Sequence, residues 1–204
     1  MIENLISFSI ATLFLALSPG PDNLYVIAQS LANGTKSGVA TTIGLVSGCI
    51  VHTTLLAFGV SAIISASDSL FYGLKIIGAM YLLYLAYQVF KSDAHIDLKE
   101  KAAKKSYLQL FKQGVIMNLV NPKILIFFLA FFPGFLWDET QNTVSQFYVL
   151  GILFMAISFL VFSSLAILAG YFSSLLNEFK IVSLILKWLQ IIVFVGIAVF
   201  IMIP

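Results

Sequence analysis

The sequence predicts an all-α, polytopic membrane protein: six transmembrane helices arranged as two inverted three-helix repeats, with helices one and four broken. Three observations predict it. Apolar residues make up 60% of the 204-residue chain and charged residues 10%, against about 25% charged in a soluble domain. The apolar residues gather into six runs, each near or above the roughly 20 needed to cross a bilayer. The first and fourth runs carry prolines at membrane depth, where a helix loses hydrogen bonds and only protein or a wet cavity can cover the loss.

The first run, at about 4–28, contains Ser18-Pro19-Gly20-Pro21-Asp22-Asn23. Pro19 lacks an N–H and crowds the carbonyl of Leu15; Pro21 does the same to Leu17. Gly20 admits backbone angles that other residues avoid. The expectation is a break that leaves free carbonyls beside Asp22, and a polar site with Asp22 at its edge. The N-terminus carries Glu3 and no Lys or Arg. It therefore lacks the basic start of a signal peptide and is expected to be retained as a span.

Run two, about 38–64, holds Gly44, Ser47, Gly48 and Cys49. Glycines four apart share a helix face and let helices approach closely, which would permit a homodimer without demanding one. His52 lies one turn after Gly48 on the same face, where it is either a proton relay or a hydrogen-bonded packing residue. In run three, about 69–90, Tyr84 and Tyr87 fall where aromatic rings anchor at the interface. Gly78 and Tyr81 lie deeper, open to a cavity role.

Residues 91–112 hold Lys91, Lys99, Lys101, Lys104, Lys105 and Lys112 among Asp93, Asp97 and Glu100. Lysine-rich loops stay cytoplasmic, and this one reads as a solvated linker rather than a lipid-binding switch. Alternation then puts Lys36 and Lys180 on the cytoplasmic side. Lys75, Asp138, Glu139 and both termini fall outside. The organisation is a first repeat over 1–90, the loop over 91–112, and a second, inverted repeat over 113–204.

Run four, about 113–136, carries Asn118, Asn121, Pro122 and Lys123 in its first half, and Pro133 and Gly134 near its end. Pro122 frees the carbonyl of Asn118, and Pro133 that of Leu129. Lys123 and Asp22 are the ionisable groups that fall well within spans. Lys123 is ~16 Å along the helix from Lys112, and Asp22 ~9 Å from its own cytoplasmic end. The two fit the same half of the bilayer, where membrane charges pair or line a water path; snorkelling is the alternative for Lys123. Runs five and six, about 145–171 and 179–203, are almost purely apolar. Ser158, Ser163 and Ser164 supply hydroxyls either to a cavity or to helix packing, and Lys187 with Trp188 marks the cytoplasmic end of run six. Phe14-Leu15-Ala16-Leu17-Ser18-Pro19-Gly20 matches Phe128-Leu129-Ala130-Phe131-Phe132-Pro133-Gly134 at five of seven positions, and Leu74-Lys75 recurs as Leu186-Lys187. Inverted repeats with broken helices point to a secondary transporter.

Several classes are excluded. There is no arginine for a bidentate clamp on phosphate or carboxylate. The single Cys49 allows neither an internal disulfide nor a Cys-pair redox reaction. His52 and His95 lie on different elements, and no His/Asp/Glu group has metal-ligand spacing. No enzyme activity, resident metal, cofactor or nucleic-acid partner is expected. A metal-cation exporter and a channel-type pore stay as rival readings.

Ser18-Pro19-Gly20-Pro21 with Asp22-Asn23 resembles the N-terminal signature of the LysE/RhtB amino-acid exporters. Gly114-Val115-Ile116-Met117-Asn118-Leu119-Val120-Asn121-Pro122-Lys123, followed by Phe127-Phe128, resembles their central signature. Gly78-Ala79-Met80-Tyr81-Leu82 is similar to a third family feature. The resemblance covers essentially the whole chain. It implies a bacterial inner-membrane exporter of amino acids or close derivatives, driven by the proton gradient, and it does not name the cargo. The wider superfamily includes cadmium exporters and thiol-disulfide electron carriers; the single Cys49 argues against the latter. In such a protein the substrate ammonium would suit Asp22 and the carbonyls freed by Pro19, Pro21 and Pro122. The carboxylate would suit Lys123, Asn121 and the helix N-termini after the breaks.

Overall fold

The computed structural model describes residues 1–18, 20–91, 105–169 and 180–202. Pro19 lies outside the described residues, as do 92–104, with most of the basic loop, and 170–179. So do the side chains of Pro122, Lys123 and Lys180.

Every described element is helical. Helix α1 (Ile2–Leu17) and α2 (Pro21–Asn33) follow each other across the first break, bent by 57°. Helix α3 (Thr35–Leu55) continues through a π-helical turn (Leu56–Val60) into α4 (Ser61–Ala66). Then come α5 (Asp68–Lys91), α6 (Tyr107–Val120) and α7 (Pro122–Phe131), which ends in a 3-10 turn (Phe132–Phe135). Helices α8 (Thr143–Ile167) and α9 (Lys180–Met202) complete the chain.

The boundaries follow from local chemistry. Pro21 opens α2 at its first position, where a missing N–H costs nothing, and Gly34, at φ 87°, ends it. Helix α6 starts earlier than the apolar run suggests. The Ser106 hydroxyl accepts from the Gln109 N–H, and the Gln109 side chain accepts from the Ser106 N–H, a reciprocal cap that extends the helix into polar sequence.

Three stretches are long and apolar enough to cross a membrane: Thr35–Ile64, Ser69–Lys91 and Thr143–Ile167, or four with the bent α1–α2 pair, among the described residues. The distribution of side chains is the reverse of a soluble protein's. On α8, Ile152, Leu160 and Ile167 are exposed while Gln146 and Ser158 are buried.

Helix α3 is central and packs against α2, α6 and α8; α5 lies against α9 and α7, and α1 against α8 and α9. In lipid there is no hydrophobic drive between helices, so close van der Waals approach has to hold them. Glycines provide it. A Cβ on Gly44 would run into the backbone of Phe111; one on Gly114 would lie 2.5 Å from the Thr41 carbonyl oxygen, and one on Gly48 2.5 Å from Asn118 Oδ1. The Gly44–Gly48 face is therefore covered by α6 within the chain and is not a surface for a second copy.

Between this contact and the next loop lies a dense aromatic cluster. Phe8 stands 5.1 Å from both Phe131 and Phe132, Phe127 stacks on Phe131 at 4.6 Å, and Phe128 on Phe132 at 4.3 Å. Pro133 and Gly134 belong to the turn beneath these rings; they finish the helix rather than interrupt it.

At this end of the bundle Lys75 Nζ sits 3.6 Å from Glu139 Oε1 and 4.6 Å from the Phe71 ring centre. The loop before α8 is held by Gln146: its side-chain oxygen accepts from the N–H of Trp137 (2.8 Å) and Asp138 (3.2 Å), and its amide donates to the carbonyls of Asp138 and Gln141 at 2.7 Å each. The Thr140 hydroxyl and N–H, and the Gln141 N–H, donate to the Asp138 carboxylate and hold it below the usual carboxylate range. What that clasp contributes is complete above the ordinary carboxylate pKa and is lost as pH falls through the depressed one. At the other end Phe90 meets Trp188, with ring centres 6.2 Å apart, and Lys187 lies over Phe90.

The glycine contacts make a measurable prediction. Gly114→Val forces α3 and α6 apart and should cost about 1–3 kcal/mol, read as a lower thermal midpoint in detergent. Gly196→Ala, where a Cβ meets open space, should leave the midpoint unchanged.

Candidate functional site

Both breaks lie against one cavity. It measures about 90 Å³, room for several water-sized molecules. Ser18, Gly20, Pro21, Asp22 and Asn23 line it from the first break, and Asn118, Asn121, Ile124 and Phe127 from the second. Leu45, Val46 and Cys49 of α3 form one wall; Phe154, Ser158 and Phe162 of α8 form the opposite one, and Leu15 and Ala16 complete it. Other hollows, between α1 and α8 and between α1 and α9, are shallow apolar grooves with few polar groups.

The first break satisfies its own backbone. The Ser18 N–H turns back to the carbonyls of Phe14 (3.0 Å) and Leu15 (3.1 Å). The buried Asn23 amide donates to the carbonyls of Ala16 (2.8 Å) and Ser18 (3.1 Å). At the second break the carbonyl of Asn118 accepts from the Asn121 N–H at 3.3 Å and lies 3.2 Å from His52 Nε2. This corrects the expectation that carbonyls freed by Pro19 and Pro122 are open to a ligand: those of Leu15 and Asn118 are already engaged, because an unmet carbonyl at this depth is too costly to keep.

Asp22 is half-buried in the first turn of α2 and is the one charged side chain among the described cavity-lining residues. The N-cap before it is Gly20, with no side-chain cap. The first turn of α2 and, at the start of α7, Asn121 and Ile124 line the same space, and a helix N-terminus carries partial positive charge. Asn118 donates through Nδ2 to Cys49 Sγ at 3.4 Å, while its Oδ1 and the Ser18 hydroxyl are buried without a partner among the described residues.

The structure thus brings Gly20, Pro21, Asp22, Asn23, Asn118 and Asn121 together. His52 stands behind the wall, and half-buried Tyr81 lies beside Tyr84 at 6.0 Å, away from the cavity lining. Pro19 and the side chain of Lys123 are outside the described residues. Of Ser158, Ser163 and Ser164 on α8, Ser158 reaches the cavity, whereas Ser164 donates to the Leu160 carbonyl. Sequence reasoning passed over Ser18, Cys49, Phe127, Phe154 and Phe162 as lining residues. The signal for Cys49 was its place one turn before His52.

The family model of the LysE type translocator matches residues 13–204, both breaks included. The chain belongs to this family. Among its relatives is a homoserine/homoserine lactone efflux protein of Salmonella typhimurium, 32% identical over 163 residues, 80% of this chain and 79% of that protein. The protein of that name from Salmonella typhi is 31% identical over the same share of each chain. A membrane protein of Vibrio cholerae is 31% identical over 165 residues, 81% of this chain and 80% of the relative. No solved structure matches the chain. It is thus a membrane transporter of the LysE family, with efflux proteins for small molecules among its relatives.

Within this family member, Asn23 closes the first break. Asn23→Leu would leave two buried carbonyls unmet, at about 1–3 kcal/mol each. The expected outcome is a clear drop in the thermal midpoint of the detergent-purified protein. An unchanged midpoint would show that other donors reach those carbonyls.

Proposed function

We propose that this chain exports a small neutral amino acid, or an uncharged-side-chain derivative such as homoserine or its lactone, in exchange for protons. The observation that carries the reading is Asp22, half-buried and the one charged side chain among the described residues that line a cavity bordered by the starts of α2 and α7. The substrate ammonium pairs with Asp22. Its carboxylate lies at the positive helix ends, with Asn121 beside it and Lys123 as the cation. The remaining wall, Leu45, Val46, Ile124, Phe127, Phe154 and Phe162, suits an uncharged side chain, and the Ser18 and Ser158 hydroxyls suit a small polar group on it.

The exchange follows from the position of Asp22. Desolvation favours the neutral carboxyl, and a nearby cation favours the charged one. Opening outward wets the site, lets Asp22 take a proton and weakens its hold on the ammonium; opening inward returns the proton. In this reading the chain sits in the bacterial inner membrane with both termini outside, the 91–112 loop cytoplasmic and the six spans as two inverted repeats. The lysine-rich loop supports it. The Lys75–Glu139 pair also supports it, by placing two groups assigned outside at one end of the bundle. Among the described residues no group of three His, Cys, Asp or Glu has metal-binding geometry.

Asp22→Asn and Lys123→Met should each abolish export of labelled homoserine from cells while membrane levels of the protein stay normal. Normal export by both would remove them from the mechanism. In proteoliposomes, accumulation driven by an imposed pH gradient is expected; downhill leak alone would identify a channel.

A further inference from the structure

The Asn118 carbonyl is the one that Pro122 deprives of its helical N–H. His52 meets it from a neighbouring helix, with Nε2 at 3.2 Å. A carbonyl only accepts, so Nε2 carries the hydrogen, and in the neutral ring Nδ1 is left with a lone pair. That Nδ1 is buried with no hydrogen-bond partner among the described residues, in a side chain that is 3% exposed and packed 5.6 Å from the Phe128 ring. A buried polar atom without a partner calls for an explanation, and a site that takes up and releases a proton supplies one.

His52 lies one turn beyond Cys49, which lines the cavity. Beyond it, separate hydroxyl groups stand on the side toward the Lys75–Glu139 end. Thr53 Oγ1 is buried and unpartnered, Tyr148 Oη donates to Thr54 Oγ1 at 3.3 Å, and Thr143 Oγ1 to Ser61 Oγ at 2.8 Å. The titratable groups on the elements packed against α3 are Asp22 and Tyr25 on α2, Tyr107 and Lys112 on α6, and Tyr148 on α8. Helix α3 itself carries Lys36 and Cys49, and α7 carries Lys123, whose side chain is not among those described.

We propose that His52 is the proton station of the transport cycle. Its Nδ1 takes a proton that enters from the Lys75–Glu139 side, making the imidazolium. It gives that proton up to water in the cavity faced by Asp22, restoring the neutral ring. Nε2–H holds the Asn118 carbonyl in both charge states, so the second break keeps its cap throughout. The inference rests on the reading of export as proton exchange.

The test uses wild type and two variants in proteoliposomes with labelled homoserine, reading exchange for unlabelled homoserine, uptake into acid-loaded vesicles, and internal pH. In His52→Gln the amide still reaches the carbonyl but does not titrate. It should keep homoserine exchange and lose acid-driven uptake and the accompanying proton flux. His52→Phe, which removes the cap as well, should lower the thermal midpoint. Acid-driven uptake retained by His52→Gln would overturn the proposal alone, as would loss of its exchange, which marks a purely structural cap. Wild type that leaks downhill without responding to the pH gradient would overturn proton exchange and this proposal together.

Discussion

A membrane helix that breaks must find new partners for its backbone within the protein, because lipid offers none. That constraint shapes the centre of this molecule. Asn23 takes the carbonyls of Ala16 and Ser18, and His52 takes that of Asn118. The two solutions differ in reach. The first is made within seven residues of sequence and needs no other element. The second adds a donor from a helix far away in the chain to the Asn121 N–H close by, so α3 cannot leave α6 without taking one of that carbonyl's two donors. The glycine contacts between α3 and α6 serve the same end by bringing the imidazole close enough to act.

With those carbonyls engaged, the cavity is left with the polar side chains of Ser18, Asp22, Asn118 and Ser158 among its lining. The starts of α2 and α7 border it, each with the partial positive charge of a helix N-terminus, and Asp22 carries a negative charge. A zwitterion meets both within one small space. The aromatic cluster beside it contains no polar atom, so movement past it breaks dispersion contacts alone, each small but many in number.

The positions of both breaks were legible in the sequence because proline acts locally: Pro21 and Pro122 dictate lost hydrogen bonds whatever surrounds them. So was the close-packing role of Gly44 and Gly48, though their partner was not, since a small-residue face says that something approaches and not what. The identity of the carbonyls' partners was illegible. Asn23 and Asp22 are neighbours, and only the direction of the helix after the bend decides which side chain turns back and which faces the cavity. Ser158, Ser163 and Ser164 are likewise equivalent in an apolar run until α8 is docked. The extension of α6 to Tyr107 could have been found from Ser106 and Gln109, whose spacing marks a helix start outside the apolar region.

The π-helical turn at Leu56–Val60 has a structural meaning of its own. Such a turn is an α-helix holding one residue more than its pitch accommodates, and from there on every side chain is rotated relative to the stretch before it. Ser61 reaches Thr143 with that offset in place. The two ends of this long span are thus phased independently: the inner part is set by its grip on the broken helix, the far part by its neighbour across the bundle, and the surplus residue is the joint that lets both registers coexist.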